Sequence, residues 1–173
     1  MLPDRSIPRP NFHKVFAEAA TPEVLYWISS QTELEKDAQA AFVASLPDPA
    51  SGHNITDLLE SLSAGAKRRD SFAYCECLKN ILAWPVNGTL VEIMARVLHD
   101  TETKHLRSRT IDWVMRTGTR FNLAPGSEVK FHDPNKRMNR TGKVISVDRP
   151  TASAVIETTD TQRQTIPAEL LVA

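Results

Sequence analysis

Four cationic side chains lie within eight residues of the C-terminal third of the chain. They are Lys136, Arg137, Arg140 and Lys143. Positive side chains at this density suit phosphate groups, because they displace the counterions of a nucleic acid and fix the position of its backbone without reading bases. We therefore predict that this segment, the basic loop, contacts a nucleic acid or a nucleoprotein. The alternative interpretation is a solvated hairpin loop without a partner.

A second basic pattern precedes the basic loop, on the last predicted helix. His105, Arg109, Asp112, Arg116 and Arg120 are spaced as one helical stripe. Such a stripe could face a nucleic acid or an acidic partner, so Arg109 and Arg116 join the basic loop as candidate nucleic-acid contacts. Arg116 also has a structural explanation, because cations near a helix C-terminus interact favourably with the helix dipole.

The residues that usually perform catalysis or bind metals lack the required spacing. The chain has no G-x-S-x-G, H-E-x-x-H, Walker A or G-x-G-x-x-G pattern. Cys75 and Cys77 form a C-x-C pair, which differs from the C-x-x-C spacing of redox and zinc sites, and no two histidines have the i, i+4 spacing of helical metal ligands. We expect a non-catalytic protein with no cofactor and no metal. A small hydrolase with unidentified residues is the least favoured alternative.

Composition excludes several classes of protein. The 173 residues carry 21 Lys and Arg against 21 Asp and Glu, so any attraction to a polyanion must come from a local patch. The hydrophobic fraction of 41% is sufficient for a packed core. The sequence has no apolar run of membrane-spanning length, and its first ten residues lack the apolar segment of a secretory signal. We therefore expect a cytoplasmic protein without a membrane partner.

Helical periodicity dominates residues 11–120, after an extended arm (residues 1–10) that contains three prolines. The predicted helices begin at Asn11, Thr21, Thr32, Asn54, Ser71, Thr89 and Asp100 or Thr101. Thr21 is predicted as a helix start because threonine is a common N-cap and Pro22 suits the first helical position. Trp27, Trp84 and Trp113 fall beside apolar stripes, which indicates core positions.

Period-two alternation replaces the helical pattern near Ala124. Short strands are predicted within residues 128–132, 142–148, 153–158 and 161–166, with a closing turn over 167–171. Phe131 alternates with Val129 and is predicted to lie in the core. The sequence therefore predicts an α+β chain, with a helical domain at residues 11–120 and a small β-barrel at residues 126–173.

Four elements of the C-terminal segment carry a resemblance to a known family. They are Pro125–Phe131, Thr141–Val147, Ala154–Glu157 and Thr165–Leu171, with the patterns Gly-x-x-Val, Gly-x-Val-x-x-Val and Pro-x-x-Leu-Leu. In these elements residues 125–173 resemble a KOW-like or SH3-like small β-barrel. Members of that family bind RNA, DNA, ribosomal or transcription machinery, or proteins, so the resemblance implies a binding function. With Phe131 as its single aromatic residue, the barrel would contact a nucleic acid through charge rather than base stacking.

Residues 88–118 resemble one HEAT-type helix pair. The apolar residues of the first helix, from Leu90 to Leu98, are followed by Asp100 and by a second stripe at Leu106, Ile111 and Val114. A HEAT-like domain and a compact helical bundle are therefore both open for the N-terminal part. In a second functional hypothesis, the helical surface recognises a partner protein and the barrel is an accessory contact.

Overall fold

The structure is a computed structural model that describes residues 7–31, 40, 42, 44–47, 54–134 and 136–172. Residues 1–6 of the predicted arm and most of the helix predicted to begin at Thr32 lie outside the described residues. The helices are α1 (Phe12–Ser29), α2 (Ile55–Gly65), α3 (Ser71–Leu82), α4 (Gly88–Asp100) and α5 (Leu106–Thr117). The strands are β1 (Glu128–Asp133), β2 (Met138–Asp148), β3 (Ser153–Thr158), β4 (Arg163–Pro167) and β5 (Leu171–Val172). Helices followed by an antiparallel sheet confirm the predicted α+β class.

The chain divides into two compact units. The helical unit is Pro10–Leu106, and the sheet unit contains residues 7–9 and 107–172. Helix α5 therefore belongs to the same unit as the sheet, although its sequence pattern groups it with the helices. Within the described residues, no helix combines the length and the apolar character needed to cross a lipid bilayer.

Helix α1 runs without interruption through Pro22, so the prediction of a separate helix beginning at Thr21 is wrong. The Thr21 hydroxyl donates to the Ala17 carbonyl 2.7 Å away instead of capping a new helix. Ala20 and Val24 on either side are fully buried. Apolar burial along one face keeps the helix continuous and offsets the hydrogen bond that proline cannot donate.

Side-chain caps begin the next three helices. Asn54 accepts from the Asp57 amide in a capping box, Asp70 accepts from the Ala73 amide, and Asn87 accepts from the Leu90 amide. The aromatic core of the helical unit includes Trp27 and Trp84, whose rings are stacked with centroids 6.0 Å apart. The predicted core positions of all three tryptophans are confirmed, since each is buried.

The backbone after α4 stays helical, so Asp100 or Thr101 does not cap a new helix. Thr101–His105 form a π-helical segment, and the buried Thr101 hydroxyl has no hydrogen-bond partner among the residues that the structure describes. The extra residue in a π turn shifts the phase of side chains around the axis. Helix α5 then ends at Thr117, before Gly118 with φ +61°. The predicted stripe is therefore broken at both ends, because His105 lies in the π segment and Arg120 lies beyond the helix.

The sheet is antiparallel, with strand order β4-β3-β2-β1-β5. Strands β1 to β4 follow one another as neighbours, and a 3₁₀ turn (Ala168–Leu170) returns the chain to pair β5 with β1. The inward side chains form one core, which contains the fully buried Phe131 as predicted. Its buried members are Phe121, Phe131, Val144, Ala152, Ala154, Ile156 and Ile166.

Candidate functional site

The hairpin between β1 and β2 carries the predicted basic loop. Asp133 and Met138 are the last paired residues before the turn. The Lys136 amide donates to Oδ1 of Asp133 at 3.2 Å, and Arg137 adopts a left-handed backbone with φ +51°. Asn139 and Gly142, which lie between the predicted cations, are inside β2 rather than in a flexible loop. The turn is therefore short and closed by a carboxylate.

Carboxylates neutralise two of the four predicted cations. Nη1 of Arg140 lies 3.4 Å from Oδ2 of the fully buried Asp133, and its Nη2 lies 2.7 Å from Oδ1 of Asp160. Nζ of Lys136 lies 3.4 Å from the other Asp160 oxygen. The Arg140 side chain is only 12% exposed. Arg140 is therefore a structural cation at the end of the sheet, and the basic loop is less positive than its sequence indicates.

Asp160 is the centre of this ion-pair cluster. The Thr158 hydroxyl donates to its carboxylate, and this bond together with Arg140 holds the pKa of Asp160 well below its usual range. An aspartate that is charged throughout the physiological range keeps Arg140 and Lys136 paired at neutral pH.

Arg137 and Lys143 are exposed, and neither has an ion pair within the described part of the chain. Lys143 lies in mid-strand, where its neighbours across the sheet are Glu128 on β1 and Glu157 on β3. Opposite charges at paired positions of an antiparallel sheet attract one another. The structure therefore places Arg137 at the tip and Lys143 among acidic neighbours, and it does not bring four free cations together.

Arg109 and Arg116 are exposed on α5. Arg107, which is not among the predicted nucleic-acid contacts, forms an ion pair with Asp148 at 2.5 Å. Its hydrogen bond lowers the pKa of Asp148. The interpretation of Arg109 and Arg116 as nucleic-acid contacts stays a prediction.

A hydrogen-bonded chain in the helical unit joins the half-buried His13 to the buried Ser63 and Tyr74. Nδ1 of His13 lies 2.9 Å from Oγ of Ser63, which lies 3.0 Å from the Tyr74 hydroxyl. Ser63 is only 2% exposed, and burial raises the pKa of Tyr74. A nucleophile must be accessible to its substrate, and the Ser63 hydroxyl is not. The hydrogen bonds therefore have a structural role, because they provide partners for three polar side chains.

The two cysteines differ in their surroundings. Cys75 is buried, and this burial raises the pKa of its thiol to about 11, whereas Cys77 is partly exposed. Within the described ranges, no three His, Cys, Asp or Glu side chains converge on a point that a metal ion could occupy.

An apolar groove of about 270 Å³ lies between α2 and α3. Its lining residues are Leu58, Ser61, Leu62, Gly65, Cys77, Ile81 and Leu82. Ile81 is 76% exposed, which is high for a large aliphatic side chain. On α2 the lining follows the i, i+4, i+7 spacing of one helix face, so two helices form the walls of a single depression.

Sequence analysis missed the groove, because a helical stripe does not reveal where the neighbouring helix leaves it uncovered. It also missed the partners of the basic loop. The alternation of β1 contained a signal for one of them, because Asp133 has the same parity as Val129 and Phe131 and so points inward.

Comparison with protein-family models, with curated proteins and with solved structures finds no significant match to this chain.

Proposed function

We propose that this protein is a non-catalytic adaptor that binds an amphipathic helix of a partner protein in the groove between α2 and α3. The observation that carries the proposal is the apolar lining of this groove together with the exposed Ile81 at its wall. Exposed apolar surface in a concave site favours association, because a partner's apolar side chains remove it from water.

The dimensions and charge of the groove favour a helical occupant. The lining from Leu58 to Gly65 spans eight residues of α2, and the seven steps between them cover about 10 Å along the helix axis. A partner helix with apolar residues at i, i+4 and i+7 covers the same length. The charged residues of α2 are Asp57 and Glu60, both acidic. A partner helix with Lys or Arg beside its apolar face would complement the negative charge of α2.

A crosslinking experiment tests the proposal in the full chain. A photoreactive amino acid replaces Ile81 in one variant and Phe72 in a control, since Phe72 is 67% exposed on the same helix but does not line the groove. We expect position 81 to capture an amphipathic helical segment that position 72 does not capture. The same partners at both positions, or a second copy of this chain at position 81, would overturn the proposal.

Affinity for the captured segment, made as a synthetic peptide, supplies the second measurement. Ile81→Asp should weaken binding at least tenfold, because burying an isoleucine contributes about 1.5–3 kcal/mol. Phe72→Asp should leave the affinity unchanged. Equal affinities for the two variants would contradict binding in the groove.

Contact with a nucleic acid is the second candidate function. Exposed Arg137 and Lys143, without ion pairs among the described residues, support it. Binding to generic duplex DNA or RNA should weaken with salt, and on duplex DNA each phosphate contact contributes about −0.9 to the logarithmic slope. Replacing both residues by glutamate should reduce the slope by about 2, whereas Lys79→Glu on α3 should not change it. Unchanged binding in the double variant would exclude this candidate.

We also propose that the sheet unit is an SH3-like or KOW-like barrel. The four-stranded meander, the 3₁₀ turn and the pairing of β5 with β1 support this interpretation. A HEAT-type helix pair has no comparable support, because its turn would fall at Asp100, where the backbone dihedral angles are helical.

A further inference from the structure

The N-terminal segment Ile7–Arg9 contacts the rest of the sheet unit through three kinds of interaction. The indole Nε1 of Trp113 donates to the Ile7 carbonyl at 2.9 Å. The Arg9 guanidinium lies over the Trp113 ring, 5.3 Å from its centroid. Nη1 of Arg9 donates to both carboxylate oxygens of Glu169, at 3.1 and 2.9 Å, while Nη2 donates to the Thr151 carbonyl. The segment is thus held by backbone, ring and charge together.

The turns that carry two of the residues receiving this segment, Thr151 and Glu169, are joined by a contact that does not involve it. Trp113 is buried on α5. Thr151 lies in the turn between β2 and β3, and Glu169 lies in the 3₁₀ turn after β4. The Ala168 amide donates to the Ala152 carbonyl at 2.9 Å, which joins these two turns directly beside Thr151 and Glu169. The part of the receiving surface formed by these two turns is therefore preorganised, which lowers the cost of binding.

The chemistry of the contacts defines a short peptide ligand. Proline at position 8 fixes its own φ and biases Ile7 toward an extended backbone, which reduces the entropy lost on binding. The arginine supplies five donors and a planar face, and the surface uses it for a carboxylate, a carbonyl and an indole ring. A lysine has one nitrogen and no planar face, so it cannot reproduce this set.

We propose that Trp113, Thr151 and Glu169 form a peptide-recognition site for an extended Ile-Pro-Arg segment, and that Ile7–Arg9 of the same chain occupy it. A free peptide with the same residues binds this site when the internal segment is displaced. This proposal is independent of the groove between α2 and α3.

The test uses the full chain with Arg9→Glu, which places two negative charges together and releases the internal segment. The probe is the synthetic peptide Ser-Ile-Pro-Arg-Pro-Asn, and the readout is the indole N–H resonance of Trp113, identified with Trp113→Phe. We expect this resonance to shift in the Arg9→Glu chain and to return toward its original position as the peptide is added. The peptide should bind this variant at least tenfold more tightly than the unaltered chain, whose site is occupied.

Matched controls separate recognition from general stability. The peptide with alanine in place of arginine should not bind, and Glu169→Gln in the Arg9→Glu chain should remove binding. Arg163→Ala, which breaks an exposed ion pair with Glu157 in the same unit, should not create a peptide site. If the Arg9→Glu chain does not fold, Arg9→Ala takes its place with the same expectations. If the variant is folded and the Trp113 indole resonance does not shift when the peptide is added at millimolar concentration, the proposal is overturned.

Discussion

The guanidinium of Arg140 lies 3.4 Å from the carboxylate of Asp133, whose side chain is fully buried at the end of β1. A buried carboxylate without a cation is strongly unfavourable, because little water is available to solvate it. Arg140→Ala should therefore lower the melting temperature by several degrees, measured by circular dichroism. Arg163→Ala removes an ion pair in which the arginine is 66% exposed, and it should have almost no effect. Equal melting temperatures for the two variants would show that Asp133 does not need Arg140.

Stability should fall in acid because of Asp160. Its pKa in the folded chain is held below the ordinary value near 3.9 by the Thr158 hydroxyl and by Arg140. A carboxylate with a lowered folded pKa stabilises the native state above its unfolded pKa, and this contribution is lost as the pH falls below about 4. Urea unfolding of the unaltered chain and of Asp160→Asn should differ most near pH 7, and the difference should shrink steadily as the pH falls below about 4. A difference that is independent of pH would contradict this account.

Two glycines should respond in opposite directions to alanine. A Cβ on Gly142 would lie 2.5 Å from Cγ2 of Ile156 and 2.8 Å from the Glu157 carbonyl oxygen, so the backbone of β2 or β3 would have to move. Gly142→Ala should destabilise the chain by about 1–3 kcal/mol. A Cβ on Gly65 meets open space, so Gly65→Ala should be neutral or stabilising by up to about 1 kcal/mol. Chemical denaturation of both variants measures the contrast, and a loss of stability in both would refute it.

Asn87 should be more important for stability than Asn54, although both cap helices. The Asn87 side-chain oxygen accepts from the Leu90 amide and also from the buried Trp27 indole, each at 3.1 Å. Asn54→Ala should cost about 1 kcal/mol for the lost cap. Asn87→Ala should lower the free energy of unfolding by about 1–3 kcal/mol more than Asn54→Ala does, because the Trp27 indole also loses its acceptor. Asn87→Asp, which retains the oxygen, should be close to the unaltered chain in urea unfolding; equal losses for the two alanine variants would argue against the double role.

The two cysteines should differ in reactivity. Burial raises the pKa of Cys75 to about 11, so at pH 8 it has almost no thiolate and little access to reagent. Iodoacetamide should therefore modify Cys77 first, giving one adduct per native chain by mass spectrometry and two after denaturation. Cys77→Ser should remove the native adduct. Faster modification of Cys75 would contradict its buried position. If a bound partner helix protects Cys77 from modification, that protection would support occupancy of the groove.

Local features of the fold were predictable because they depend on neighbouring residues. The helix start at Asn54 and the inward position of Phe131 follow from side-chain chemistry and from the period of the pattern. Pro22 shows the limit of such rules, since burial of α1 outweighs a strong local signal for a helix start. The free-energy differences between residue types in helix propensity are small compared with the free energy gained when a long helix buries its apolar face.

Long-range contacts determined the properties of the candidate sites. Arg140 and Asp160 are twenty residues apart, and Arg9 and Glu169 are 160 residues apart, yet each pair is in contact. Residue types and spacing indicated four cations at one loop, whereas the sheet brings a carboxylate from the turn after β3 against two of them. The net charge of a surface depends on which side chains are close in space, because electrostatic attraction weakens with the distance between two charges and not with their separation along the chain.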